Sequence, residues 1–134
     1  MEPAGLRRGE CLSLLAGSAV GRVVYTEDAL PAARPVTFLL DGDEVLFRAG
    51  AGSSLAGTAH QVVGFEADGF DLADRTGWSV LGVGIAYEVT DAGRLTGLAG
   101  RVPGGWDDGW TTATIAVPLQ RLTGRRLAPA ARQR

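Results

Sequence analysis

The feature that most constrains this chain is the alternation of its apolar residues. Six runs place β-branched or aromatic side chains at about every second position, which is the period of a half-buried strand and not of a helix. The runs cover 19–26, 33–40, 44–48, 61–67, 77–89 and 111–118, and 120–127 continues the last one after a bulge. In 77–89, Trp78, Val80, Val83, Ile85, Tyr87 and Val89 mostly alternate with small or polar residues. No helical pattern is long enough to cover a parallel sheet, so the economical arrangement is an antiparallel barrel with short flanking helices, a mainly β fold with an α+β outline.

The connections between the runs carry turn chemistry. Asp41-Gly42-Asp43 predicts a hairpin turn. The polar stretch 68–76 reads as a loop, as does 27–31. Leu6, Cys11, Leu14 and Leu15 fall on one stripe of a helix over 6–16, which Gly17-Ser18 stops. Asp91 is a candidate N-cap for a second helix reaching about residue 99. Pro35 interrupts its run. Proline cannot donate to a ladder, so this strand belongs at a sheet edge, is bulged there, or faces a ligand.

A chain of 134 residues with 46% hydrophobic content is long and apolar enough for one sizeable core. The expected domain spans 1–127, and 128–134 reads as a frayed tail. The formal net charge of −2 offers no electrostatic pull toward nucleic acid or an anionic membrane. All basic residues are arginine. No leader pattern and no membrane-length apolar run is visible, so a cytoplasmic location is expected.

Protein-side chemistry is sparse. Cys11 and His60 are the sole thiol and imidazole, too far apart in sequence to suggest a metal site or a nucleophile–base pair. Cys11 reads as a buried small hydrophobe, and His60 as a helix-end residue. If the chain is an enzyme, a cofactor carries the reaction. One segment suits an anion: Arg48-Ala49-Gly50-Ala51-Gly52-Ser53-Ser54-Leu55. Glycines let backbone amides approach a phosphate, serines add donors, and Arg48 adds a charge-assisted contact. The same residues would serve equally as a flexible turn. Trp78, Trp106 and Trp110 read either as core or interface anchors or as walls for a planar ligand.

The stretches VGRVVYT (20–26), RPVTFLLDGDEVLFRAGAGSSL (34–55), VVGFEADGFD (62–71), GWSVLGVGIAYEVTD (77–91) and TGRRL (123–127) resemble the pyridoxamine 5'-phosphate oxidase-like, FMN-binding split-barrel family over almost the whole chain. The resemblance implies a six-stranded split β-barrel that forms a homodimer, with FMN at the subunit interface. It implies that Pro35, Val36 and Thr37 lie along the isoalloxazine ring. It places Arg48, Ala49, Ser53 and Ser54 at the phosphate. It sets Trp78, Ser79 and Val80 at the border of the same pocket, and Trp106, or else Trp110, as an aromatic reaching the partner's flavin.

One departure bears on the cofactor. Members carry lysine in G-[ST]-K-L, where this chain has Ser54. A lost charged hydrogen bond costs about 1–3 kcal/mol, roughly ten- to a hundredfold in affinity. The resemblance therefore implies an FMN-dependent oxidoreductase, with three alternatives beside it: a binding module without turnover, a site shifted to deazaflavin or haem, or a dimer that has lost its cofactor. Pyridoxamine phosphate itself is disfavoured as substrate, because that reaction needs a second phosphate site and the chain is short.

Overall fold

The computed structural model describes residues 4–104 and 112–129. A short strand β1 (Ala4–Gly5) leads into helix α1 (Arg8–Ala16). Strands β2 (Val20–Glu27), β3 (Leu30–Thr37), β4 (Leu39–Asp41) and β5 (Glu44–Gly50) follow. A single 3-10 turn (Ala56–Thr58) precedes β6 (Val62–Asp71) and β7 (Thr76–Ile85). Then come β8 (Tyr87–Glu88), helix α2 (Ala92–Leu98), β9 (Thr112–Pro118) and β10 (Arg121–Leu127).

The strands form two antiparallel sheets. The larger has the order β1-β10-β7-β6-β2-β3, the smaller β4-β5-β9-β8, and neither closes on itself. This is the expected split barrel. Between the sheets lies one core. Val23, Tyr25, Phe65 and Val80 face Val45, Phe47, Ile115 and Val117, and Cys11 and Leu15 of α1 plug one end. Burying each large side chain contributes about 1.5–3 kcal/mol. A smaller cluster (Leu46, Val89, Leu98, Ala116) fixes α2 on the outer face of the small sheet.

More strands exist than the alternation suggested, and the reason is sheet switching. The run 33–40 is two strands, broken at Phe38, whose buried ring meets Phe65 edge-on at 4.8 Å between centroids. The run 77–89 is likewise broken at Ala86, which donates to Gln61 O (2.9 Å) and accepts from His60 N (2.7 Å). At Leu119, between β9 and β10, the amide reaches Asp43 O at 2.9 Å. At each of these corners the chain leaves one sheet for the other, with a fully or almost fully buried side chain at the pivot. An alternation pattern runs through such a corner without a mark.

The stretch 68–76, expected as a loop, is a correction. β6 continues to Asp71 and β7 begins at Thr76, because polar side chains there sit on a solvent-facing pleat. Only the four residues between them turn. Asp71 Oδ1 caps that turn by accepting from the amides of Ala73 (3.0 Å) and Asp74 (3.2 Å). The 27–31 connection also shrinks: Asp28 and Ala29 both have positive φ, 52° and 62°, which suits a two-residue hairpin turn. The Asp41-Gly42-Asp43 turn, the helix over 8–16 and the Asp91 N-cap stand where expected, with Asp91 Oδ2 accepting from Arg94 N at 2.8 Å. Pro35 lies in β3, which is an edge strand, as its missing donor requires. No helix among the described residues is long and apolar enough to cross a membrane.

The tightest constraint is at Gly84. A Cβ placed there would collide with the Pro118 carbonyl of the crossing chain, which is backbone and cannot swing aside. Gly84→Ala is expected to destabilise the protein by about 1–3 kcal/mol or more. Gly5→Ala, with open space around its Cβ, should stay within about 0.5 kcal/mol of the parent. Urea denaturation of both variants checks the pair.

Candidate functional site

Pleating sorts the candidate residues into two kinds. Val36, Ala49 and Val80 point into the core, so only their main chains can border a ligand. Pro35 and Arg48 are exposed, and Thr37, Ser54, Trp78 and Ser79 are half-buried. Trp106 and Trp110 lie outside the described residues.

Arg48 stands on the outer face of β5, the face that carries Leu46 and α2. Its Nη2 donates to Thr112 Oγ1 of the neighbouring β9 at 3.0 Å, which orients the guanidinium across the sheet. Just beyond, β5 ends and the chain turns through Gly52 at φ 80°. Ser53 Oγ accepts from Ala56 N at 3.2 Å, and Ser54 Oγ shares a hydrogen bond with Tyr25 Oη at 3.2 Å. The amides of Ala51, Gly52 and Ser54 donate to no acceptor among the described residues. A guanidinium and these amides at a glycine turn make a donor set that fits a phosphate. The turn is also anchored, through Tyr25 and the Ser53 cap, rather than loose.

Beside Arg48 opens a cleft of about 350 Å³ between α2, the segment after it, and β9. Its α2 wall is held by a polar network. Arg94 donates to Glu44 Oε1 (2.8 Å), Asp41 Oδ2 (3.3 Å) and Tyr87 Oη, and Tyr87 Oη donates to Glu44 Oε1 at 2.6 Å. The hydrogen bonds to Glu44 and Tyr87 push the Arg94 pKa still higher, so this charge is permanent. Burial, then the bond to Glu44, raises the Tyr87 pKa.

The other candidates lie apart. Thr37 Oγ1 donates to Gly104 O at 2.9 Å, at the far end of β3. Residues 78–80 sit on β7, with β6 and β2 between them and β3. The Trp78 indole lies over Gly69, its register partner on β6. A single copy of the chain therefore does not bring residues 35–37, 48–54 and 78–80 to one described cavity. Thr112, Tyr25 and the Arg94 network were not singled out in the sequence. Tyr25 and Thr112 look there like ordinary strand residues, and their partners are distant in the chain.

The outer face of the large sheet carries a second feature. Val20, Val24, Val62, Leu81 and Ile85 are exposed there, Val62 at 68% and Ile85 at 50%. Among them Arg22 Nη1 bridges Glu66 Oε1 (3.1 Å) and Asp68 Oδ2 (3.4 Å). Burial first, then the neighbouring Asp68 carboxyl, raises the Glu66 pKa despite Arg22. A raised carboxyl pKa favours the fold at acid pH and loses that contribution as pH rises through the folded value. Glu66→Gln should therefore gain in melting temperature relative to the parent between about pH 4 and about pH 7. Thermal melts of both proteins across that range give the sign.

The comparisons with known proteins bear on the whole chain. The model of the pyridoxamine 5'-phosphate oxidase family matches residues 7–126. The chain belongs to that family. A Mycobacterium tuberculosis protein described as uncharacterized is 35% identical over 132 residues, covering 94% of this chain and 86% of its own. The structure of an FAD binding protein from Mycobacterium smegmatis superposes with a TM-score of 0.80 at 32% identity, over 96% of this chain and 100% of that one. A structure named as a putative pyridoxamine 5'-phosphate oxidase from Corynebacterium glutamicum gives a TM-score of 0.79 at 23% identity, over 97% and 98% of the two chains, and shares the fold.

Proposed function

We propose that this chain binds a flavin through its phosphate at Arg48 and the amides of Ala51, Gly52 and Ser54, and works as a homodimeric oxidoreductase. The observation that carries the reading is the donor set at the end of β5: the Arg48 guanidinium oriented by Thr112 beside a glycine turn, where the amides of Ala51, Gly52 and Ser54 have no acceptor among the described residues. The 32% identical relative named as an FAD binding protein supports a flavin as the occupant. FMN is the occupant implied by the family resemblance, and FAD is the relative's.

When bound, the flavin supplies hydride and electron transfer. The chain's own part is to hold and orient. Arg48 neutralises phosphate charge and fixes its direction, because a guanidinium binds oxygens as a fork. Pro35 leaves a stretch of edge strand without a donor, and Thr37 offers a hydroxyl beside it. The exposed apolar residues of the large sheet make the surface for a second copy, with Arg22, Glu66 and Asp68 set among them. In this reading residues 78–80 meet residues 35–37 and 48–54 across the dimer, since they are separated within one protomer. The second reading is a dimer without flavin. Ser54 favours it, because the hydroxyl in the family's lysine position is already engaged by Tyr25.

An absorption spectrum of the purified protein, before and after excess FMN and FAD, decides between them. A flavin band near one equivalent per subunit is expected. Arg48→Ala should weaken flavin binding by about 1.5–3 kcal/mol. Ser54→Lys should tighten it by a comparable amount. Flavin fluorescence titrations read both, and unchanged affinity in both variants would move the phosphate elsewhere.

A further inference from the structure

We propose that the outer face of the large sheet binds a second copy of the chain with uptake of about one proton per subunit at the Glu66–Asp68 carboxyl pair, so that the dimer tightens as pH falls. Proton-linked association of this kind rests on the homodimer reading and names the chemistry that controls it.

The face is one continuous surface. Side chains opposite each other on neighbouring strands share a side of the sheet. The register therefore sets Val24, Gly64 and Val83 in one row and Arg22, Glu66 and Leu81 in the next, with Val62 opposite Ile85. Val24 Cβ and Leu81 Cδ1 each lie 3.4 Å from the position a Cβ on Gly64 would take, so they close over that glycine. Glu66 borders these apolar rows directly.

The occupant is a second copy because the face carries two parts of the candidate site. Pro35 of β3 is opposite Arg22, and Ser79 of β7 is opposite Asp68, so both look outward on either flank of the patch. A twofold axis through the patch would lay the β7 flank of one copy over the β3 flank of the other. An unrelated protein on the same face would leave the two groups apart.

Charge then sets the pH dependence. Arg22 Nη1 lies 3.1 Å from Glu66 Oε1 and 3.4 Å from Asp68 Oδ2, one guanidinium against two carboxylates, so the ionised cluster has a negative charge in excess. Pro35 of β3 and Ser79 and Leu81 of β7 add no charge beside it. On β10, Arg125 lines the groove that Glu66 also lines, and Arg121 stands opposite Val83; neither forms an ion pair among the described residues. Both carboxylate side chains are only 26% exposed before any second copy arrives. Association removes the remaining water, and an unbalanced charge losing its water is relieved by binding a proton. The pair therefore holds a proton more tightly in the dimer than in the free subunit. The resulting gain is fully present below the free-subunit pKa and is lost as pH rises through the dimer value.

The test is sedimentation equilibrium of the full chain, with fluorescence detection, from about pH 5 to about pH 8. The parent, Glu66→Gln and Asp68→Asn are compared; His60→Gln is the control for the chain's one imidazole, and circular dichroism checks that each variant folds. The dissociation constant of the parent dimer is expected to rise at least about tenfold from the acid to the alkaline end. Either neutral variant should flatten that dependence and keep the tighter value throughout. If the parent dimer stays intact at the lowest concentration, the series is repeated on Val62→Ala, which trims the apolar face without changing its charge. A constant independent of pH, or one whose dependence survives in both variants, would overturn the inference and leave the dimer reading intact. A constant that falls with rising pH would also overturn it, and would assign the carboxylates to Arg121 or Arg125 across the interface. A chain monomeric at every pH removes the dimer reading, and the proton linkage with it.

Discussion

Where β7 passes the end of β9, the Pro118 carbonyl takes the space that any side chain on Gly84 would need. The rest of the architecture depends on that approach. It lets β9 run on through Leu119 into β10, which returns along β7 in the other sheet. Leu119 then packs over Gly82, two residues before Gly84 on the same strand. Interiors are close-packed and transmit small displacements, so one added methyl at this crossing would be felt in both sheets.

The crossing also separates structure from chemistry. Inner faces of both sheets are filled by the core, so a ligand has only the outer faces and the strand ends. On the small sheet those are occupied by Arg48, Thr112 and the α2 cleft. On the large sheet they carry exposed valine, leucine and isoleucine around the Arg22–Glu66–Asp68 bridge. In the proposed reading these exposed apolar residues are the surface for a second copy. Cys11, by contrast, is fully buried against Gly124, and burial raises its thiol pKa; its place is in the packing of α1 on β10.

Three features of the candidate site were legible in the sequence because their signals are local. A glycine turn, an arginine at a strand end and a proline in an edge strand each follow from the residue's own backbone chemistry. The companions of those residues were not legible. Thr112 is 64 residues from Arg48, and Tyr25 is 29 from Ser54, and nothing at either position distinguishes its hydroxyl from that of any other strand residue. The Arg94 network was hidden for the same reason: Asp41 looks like turn chemistry and Glu44 like an ordinary strand residue until α2 is laid over them.

By itself the sequence determined the elements and their facing. Period-2 alternation decides which side chains are buried in a strand, turn residues decide where hairpins close, and Asp91 decides where α2 begins, because these are short-range steric and hydrogen-bonding effects. The tertiary structure alone decided where strands change sheet, at Phe38, Ala86 and Leu119, and hence how the ten strands of the described residues arise from fewer apparent runs. It alone decided that residues 78–80 and 48–54 lie on different sheets of the chain, and that a cleft opens beside Arg48. Those outcomes are set by which distant backbones can come into contact, and a local pattern carries no record of that.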